Sequence, residues 1–270
     1  MNYKKLKNYL IAIDLDNTII TGFDNYDQKT FKILRQLAKN NYVVIATGRP
    51  WRSSQYFYNL LGLNTPVINY NGSYVHNPCD DSFPETLMTI DRFKLNKFIR
   101  DNENILVNLF CERKDNIYLL HDTDSIKPYL HLQGGKLKVG NFSEILPENS
   151  NGAIVFSRPG SENDLNNYIE KYYQDVKIRH WFTRDMLVSE LYNPKVSKAN
   201  ALEKVRKYYN IEKSKTIAIG DSHNDIEMIE WASIGVAMQD APAEVLAKAN
   251  FVTLSVKESG VGDFFKKHSF

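Results

Sequence analysis

Two short stretches of this 270-residue chain concentrate carboxylates: Asp14 and Asp16 in DLDNT, and Asp221 and Asp225 in GDSHND. Each directly follows a run of aliphatic residues, as does Thr47 in ATGR, and Asn224 adds an amide to the last stretch. Gathered at one edge, carboxylates repel and raise one another's pKa unless a cation sits among them. A divalent ion is the simplest resolution. All-oxygen ligation by Asp14, Asp221 and the backbone carbonyl of Asp16 suits Mg²⁺, which keeps waters and accepts a phosphate oxygen. Asp225 completes the shell directly or through water.

Lys198 breaks a local rule. It follows Ser197, a good N-cap, and so opens a helix expected over Lys198 to Tyr209, where the helix dipole disfavours a cation. A bound anion such as phosphate removes the conflict, because ammonium and helix N-terminus then attract the same ligand. Each signal alone has a bland reading: DxDxT as a capped turn, Thr47 as an N-cap, Ser222 and Asp225 as a capping box, Lys198 as a solvated surface lysine. Their order along one chain is far more specific than any single part.

The elements that must position these groups share one form. Leu10 to Ile13, Tyr42 to Ile45 and Thr216 to Ile219 are short aliphatic runs that stop abruptly at polar residues, as strands buried on both faces do. Helical spacing follows in Phe31, Leu34 and Leu37, in Leu202, Val205 and Tyr209, and in Ile226 with Ile229. Strand alternating with helix predicts an α/β fold, a doubly wound, mainly parallel, Rossmann-like sheet whose ligands bind beyond the carboxyl ends of its strands. From about residue 84 to 183 the pattern changes to adjacent strand pairs: Ile105 to Cys111 with Ile117 to His121, and Lys177 to Phe182 with Met186 to Tyr192. Ala153 to Phe156 and a helical stretch from Asn163 to Tyr173 lie between them. That predicts an α+β cap on an antiparallel sheet, spanning 84–183 and inserted into a core of 1–83 and 184–270.

Bulk properties exclude several function classes. With 34 basic against 32 acidic residues the net charge is +2, and residues 84 to 183 hold 13 basic against 14 acidic, so neither core nor insert carries the footprint of a nucleic-acid or membrane-surface binder. The apolar run before Asp14 is too short for a signal h-region or a membrane span, which predicts a cytoplasmic protein. Cys79 and Cys111 form no CxxC and have no His at zinc spacing, so two reduced thiols are expected.

Taken in order, DLDNT at 14 to 18, ATGR at 46 to 49, NYNGS at 69 to 73, SKANAL at 197 to 202 and GDSHNDIEMIEWASIGVAM at 220 to 238 resemble the haloacid-dehalogenase-like (HAD) hydrolases. Within that superfamily the chain is similar to the Cof-type phosphatases, whose cap is inserted between the second and third motifs. The resemblance implies a Mg²⁺-dependent phosphatase that hydrolyses a small phosphorylated metabolite, such as a sugar or cofactor phosphate, through an aspartyl phosphate. It implies Asp14 as nucleophile and Asp16 as general acid and base. Thr47, Gly48, Lys198 and Asn224 would hold the phosphate, and Asp14, Asp16, Asp221 and Asp225 would form the metal site. The cap would set specificity. Ala199 stands where the family often has Gly, and His223 is a less usual residue within GDSHND. The competing readings are a phosphomutase using the same phospho-aspartate and a catalytically silent protein that binds a phosphometabolite.

Overall fold

The computed structural model describes residues 5–22, 25–182 and 185–268. Five strands form a wholly parallel sheet in the order Phe251–Thr253, Ile234–Met238, Thr216–Gly220, Leu10–Ile13, Tyr42–Ile45. The strand Leu10–Ile13, which leads into Asp14, lies between and in register with the strands that lead to Asp221 and Thr47: Ile13 lies opposite both Ile219 and Ile45. All four residues of Leu10–Ile13 and all five of Thr216–Gly220 are buried, as strands covered on both faces require.

Alternation along these strands sends successive side chains to opposite faces. On one face Ala12, Val44 and Ala218 pack with Ala199, Leu202 and Val205 of the helix Lys198–Tyr208 and Met228 of the helix Ile226–Trp231. Ile11, Val43, Ile45 and Ile217 point the other way and are equally buried. A second helical layer is built from Gln28–Ala38 and Gly260–Lys267, joined where the Gly262 N–H donates to Thr30 Oγ1 at 3.2 Å. The first of these helices is capped by Asp27, whose carboxylate accepts from the N–H groups of Lys29 and Thr30. The apolar triplet Phe31, Leu34, Leu37 forms its buried stripe.

A separate six-stranded sheet has the order Lys136–Val139, Asn116–Leu119, Leu106–Arg113, Ala153–Ser157, Leu187–Tyr192, Lys177–Phe182. It is antiparallel except at one edge, where Lys136–Val139 runs parallel to Asn116–Leu119. One face packs Leu109, Cys111, Tyr118 and Val155 against Leu95 and Phe98 of the helix Arg92–Asp101 and Leu165 and Ile169 of the helix Glu162–Tyr172. Phe110, Ile117, Leu119, Phe156 and Val188 project from the opposite face and gather with Ile126 and Leu130.

The chain divides into two compact units, one of 1–48, 54–86 and 197–270, the other of 49–53 and 87–196. The junction expected at 183 and 184 lies outside the described residues. The second unit runs on to residue 196 because Leu187–Tyr192 pairs antiparallel with both Ala153–Ser157 and Lys177–Phe182. Among the described residues no helix is long and apolar enough to cross a membrane. Cys79 and Cys111 are both free thiols, and Cys111 is buried in the second unit's apolar layer.

Leu202 tests the packing that carries Lys198. It is fully buried where the helix meets the central strands, so Leu202→Ala should lower the unfolding free energy by about 2–5 kcal/mol, seen as a lower urea midpoint at unchanged slope.

Candidate active site

Asp14 is the first residue beyond the strand Leu10–Ile13, and its N–H donates to the Ile219 carbonyl at 3.0 Å, continuing the sheet bonding by one step. The chain then turns back sharply. The N–H groups of Ile19 and Ile20 both donate to the Leu15 carbonyl at 3.0 Å, while Asn17 takes a left-handed backbone (φ 54°) and donates its N–H to Ile20. Asp16 sits within this loop, half-buried and bridged to Ile20. Thr18 ends the turn with its hydroxyl donating to Asp221 Oδ1 at 3.0 Å, so the Thr of DLDNT ties the first loop to the third.

Lys198 opens its helix as expected, with Ser197 Oγ accepting from the Asn200 N–H. The lysine is not a solvated surface residue. Its side chain is 0% exposed, and Nζ donates to Asp14 Oδ1 and to Asp225 Oδ1, each at 2.6 Å. The remaining oxygen of Asp225, Oδ2, accepts from the N–H groups of Asp221 and Ser222, both at 3.0 Å. The capping box of Ser222 and Asp225 therefore forms, and the same carboxylate also serves the site. Gly220 makes room for it: a Cβ there would lie 2.4 Å from Asp225 Cγ.

Thr47 does not cap a helix. It follows Tyr42–Ile45 as a fully buried extension of the sheet edge, donating its N–H to the Ile68 carbonyl at 2.9 Å and accepting from the Asn71 N–H at 3.0 Å. Gly48 follows, close against the Asn71 side chain. Asn224 Nδ2 donates to Asn71 Oδ1 at 2.8 Å. His223 is exposed and lies 3.7 Å from Glu244 at the surface. Of the residues read from the sequence, Asp14, Lys198, Asp221 and Asp225 thus meet directly, while Asn71 links the Thr47 turn to Asn224. Thr18, Asn71 and Gly220 escaped individual assignment; the NYNGS motif marked the turn that holds Asn71, but its hydrogen-bond partners are distant in sequence.

The electrostatics are strained in one direction. Burial, with Asp225 and Asp221 close by, pushes the Asp14 carboxyl well above its ordinary range despite the opposing Lys198 ammonium. Burial also pushes Asp221 up to about 6, reinforced by Asp225 and opposed by the Thr18 hydroxyl. Burial disfavours the charge on Lys198, but Asp14 and Asp225 outweigh it and hold the lysine protonated, above its ordinary value. One ammonium thus faces three carboxylates whose oxygens lie within 4.8 Å of one another. Such a group can hold a metal ion, and its all-oxygen donor set with excess negative charge fits a hard divalent cation.

The model of the haloacid dehalogenase-like hydrolase family matches residues 11–265. A 5-amino-6-(5-phospho-D-ribitylamino)uracil phosphatase of Bacillus subtilis is 31% identical over 265 residues, covering 97% of this chain and 98% of that protein. The crystal structure of TM0651 from Thermotoga maritima superposes with a TM-score of 0.82 at 25% identity, over 97% of this chain and 98% of that one. The HAD subclass IIB sugar phosphatase BT4131, at 22% identity, shares the fold with a TM-score of 0.79 over 96% of this chain and 98% of its own. The parallel core sheet with a separate inserted cap sheet is the subclass IIB architecture. The chain belongs to the haloacid dehalogenase-like hydrolases. Within them it is a phosphatase of the Cof type.

Asp221 sets the sign of a pH effect. Below its ordinary value of 3.8 the carboxyl is protonated in folded and unfolded chains alike; the cost of its buried charge accumulates as pH rises and is complete above about 6. A bound divalent cation offsets that cost, and protons compete with it. The rise in melting temperature on adding Mg²⁺ should therefore be larger at about pH 7.5 than at about pH 5, and Asp221→Asn should diminish it. Calorimetric scans showing the same increment at both pH values would contradict this assignment.

Proposed function

We propose that the protein is a Mg²⁺-dependent phosphatase that hydrolyses a small phosphorylated metabolite through a phospho-aspartate on Asp14. The observation that carries this reading is the buried Lys198 ammonium held 2.6 Å from Asp14, beside a carboxylate group able to hold a metal. Phosphoryl transfer needs positioning and charge neutralisation above all, and the residues supply both. Asp14, Asp221 and the Asp16 carbonyl would hold Mg²⁺, whose charge would let a carboxylate approach a phosphate dianion. Asp225, with one oxygen on Lys198 and the other on two backbone N–H groups, supports that shell directly or through water.

In the first half-reaction a carboxylate oxygen of Asp14 attacks phosphorus as the ester P–O bond breaks, and the Asp16 carboxyl gives its proton to the departing alkoxide. Thr47, the Gly48 N–H, Lys198 and Asn224 hold the non-bridging oxygens where charge accumulates. In the second, Asp16 takes a proton from water, whose oxygen attacks phosphorus and frees inorganic phosphate and the Asp14 carboxylate. One carboxyl group serves as acid and then as base.

Asp14→Asn should abolish turnover of every substrate. Asp16→Asn should still be phosphorylated by an aryl phosphate, whose leaving group departs unaided, while hydrolysis of the intermediate slows by roughly 10²- to 10⁴-fold. Acid quench and peptide mass analysis should then find the phosphoryl group on residue 14; its presence elsewhere would refute the assignment. Net release of inorganic phosphate separates hydrolysis from the phosphomutase reading, and turnover itself from a silent binder.

Substrate choice belongs, in this reading, to the cap over 84–183, because the core residues contact only the phosphate and ion common to all substrates. The substrate in the name of the Bacillus subtilis relative makes a phosphorylated ribitylaminouracil the first candidate, with sugar and cofactor phosphates beside it. Exchange of the insert for that of a relative should move the ranking of kcat/KM across such a panel while aryl phosphate hydrolysis is kept. A ranking that stayed with the core would exclude a specificity role for the cap.

A further inference from the structure

The turn after the strand Val67–Asn69 carries three consecutive residues with positive φ: Tyr70 at 48°, Asn71 at 55° and Gly72 at 104°. Only glycine takes such a backbone without steric cost, and side-chain-bearing residues persist there where their surroundings fix them. Here the surroundings are three segments of the candidate site. The Asn71 N–H donates to the Thr47 carbonyl at 3.0 Å, and its Oδ1 accepts from Asn224 Nδ2 at 2.8 Å. That same oxygen lies only 3.2 Å from where a Cβ on Gly48 would stand. Gly72 backs onto the helix that carries Lys198 so closely that a Cβ would lie 2.4 Å from the Ser197 carbonyl oxygen. The backbone alone would favour glycine at 71, yet the position holds an asparagine that is 8% exposed and whose side chain grips Asn224.

We propose that Asn71 is a positioning residue for phosphate binding: its Oδ1 fixes the Asn224 amide and leaves the second N–H of that amide for a phosphoryl oxygen, while its backbone holds the Thr47–Gly48 turn. The inference rests on the reading of Asn224 as a phosphate donor. An untethered asparagine amide rotates freely and meets the phosphate in many orientations; one with a fixed acceptor presents a single N–H in one direction. The function of Asn71 is therefore expressed through Asn224, and removing either should disable the same interaction.

The test is the inhibition constant of inorganic phosphate, with saturating Mg²⁺ and an aryl phosphate as substrate, measured across a double-mutant cycle. Asn71→Gly keeps the left-handed backbone and deletes the side chain, so thermal melting should show a retained fold. Asn224→Ala and Asn71→Gly should each weaken phosphate by about tenfold, the scale of one hydrogen bond to a charged group. The double variant should fall within about twofold of the worse single one; a multiplied loss of about a hundredfold would overturn the proposal. Asn71→Asp supplies a second background, isosteric and retaining the acceptor. Asn224→Ala should cost its full factor there and little beside Asn71→Gly, and equal costs in the two backgrounds would again overturn it. If Asn224→Ala alone left phosphate affinity unchanged, the phosphate-donor reading of Asn224 would fail first, taking this inference with it, whereas multiplied losses would remove only the role of Asn71.

Discussion

The rest of the site depends on one ammonium group. Lys198 Nζ lies out of contact with solvent, 2.6 Å from both Asp14 and Asp225, and in that position it joins the end of the strand Leu10–Ile13, the loop after the strand Thr216–Gly220 and the helix that follows the insert. Breaking a buried ion pair by removing one partner leaves an uncompensated charge in a poorly solvating place, so the three residues must be retained or lost together. The arrangement is also incomplete by itself. Three carboxylates share this cation, and burial, reinforced by the neighbouring carboxylates, pushes Asp14 and Asp221 upward. A divalent ion offsets that excess of negative charge, and a phosphate dianion is then the natural ligand of the combined cationic groups.

Holding charges this closely requires backbone where most proteins have side chains. Gly220 lets the Asp225 carboxyl lie directly against the end of its strand, and Gly72 lets the turn after Val67–Asn69 press on the Ser197 carbonyl. Alanine at either place would collide at 2.4 Å, with a carboxylate in the first case and with backbone in the second. Left-handed residues at Asn17, Tyr70 and Asn71 serve the same end, since each tight turn keeps a loop short enough to point one polar group inward. Both devices occur elsewhere in the chain as well, as at Ser259 and Gly260, but here they bring polar groups of the candidate site together.

The inserted unit is built on a different principle. Its sheet has two apolar faces, one covered by the helices Arg92–Asp101 and Glu162–Tyr172, the other carrying Phe110, Phe156 and Val188 with Ile126 and Leu130. Among the described residues, the carboxylates that gather at the candidate active site all come from outside 87–196. The candidate site and the insert's apolar core are therefore built from separate sets of residues, so that one can vary without disturbing the other.

The sequence by itself determined which residues could do chemistry and which strands end beside them. Aliphatic runs ending in polar residues are legible because a strand buried on both faces admits little else, and the helices were legible from their apolar spacing. DLDNT, ATGR, SKANAL and GDSHND marked the candidate groups because each motif lies within a few residues of chain. Only the tertiary structure decided how they meet. Lys198 reads locally as an exposed helix opener, and its burial follows from Asp14, 184 residues away. Thr18 and Asn71 gained their partners at separations of 203 and 153 residues, beyond any local pattern. The parallel edge strand Lys136–Val139 was likewise hidden, because its four residues are all exposed and show no buried face. Local signals report what a residue is suited to; pairings across the sheet are fixed by packing of distant segments, which one chain's linear order does not encode in any short window.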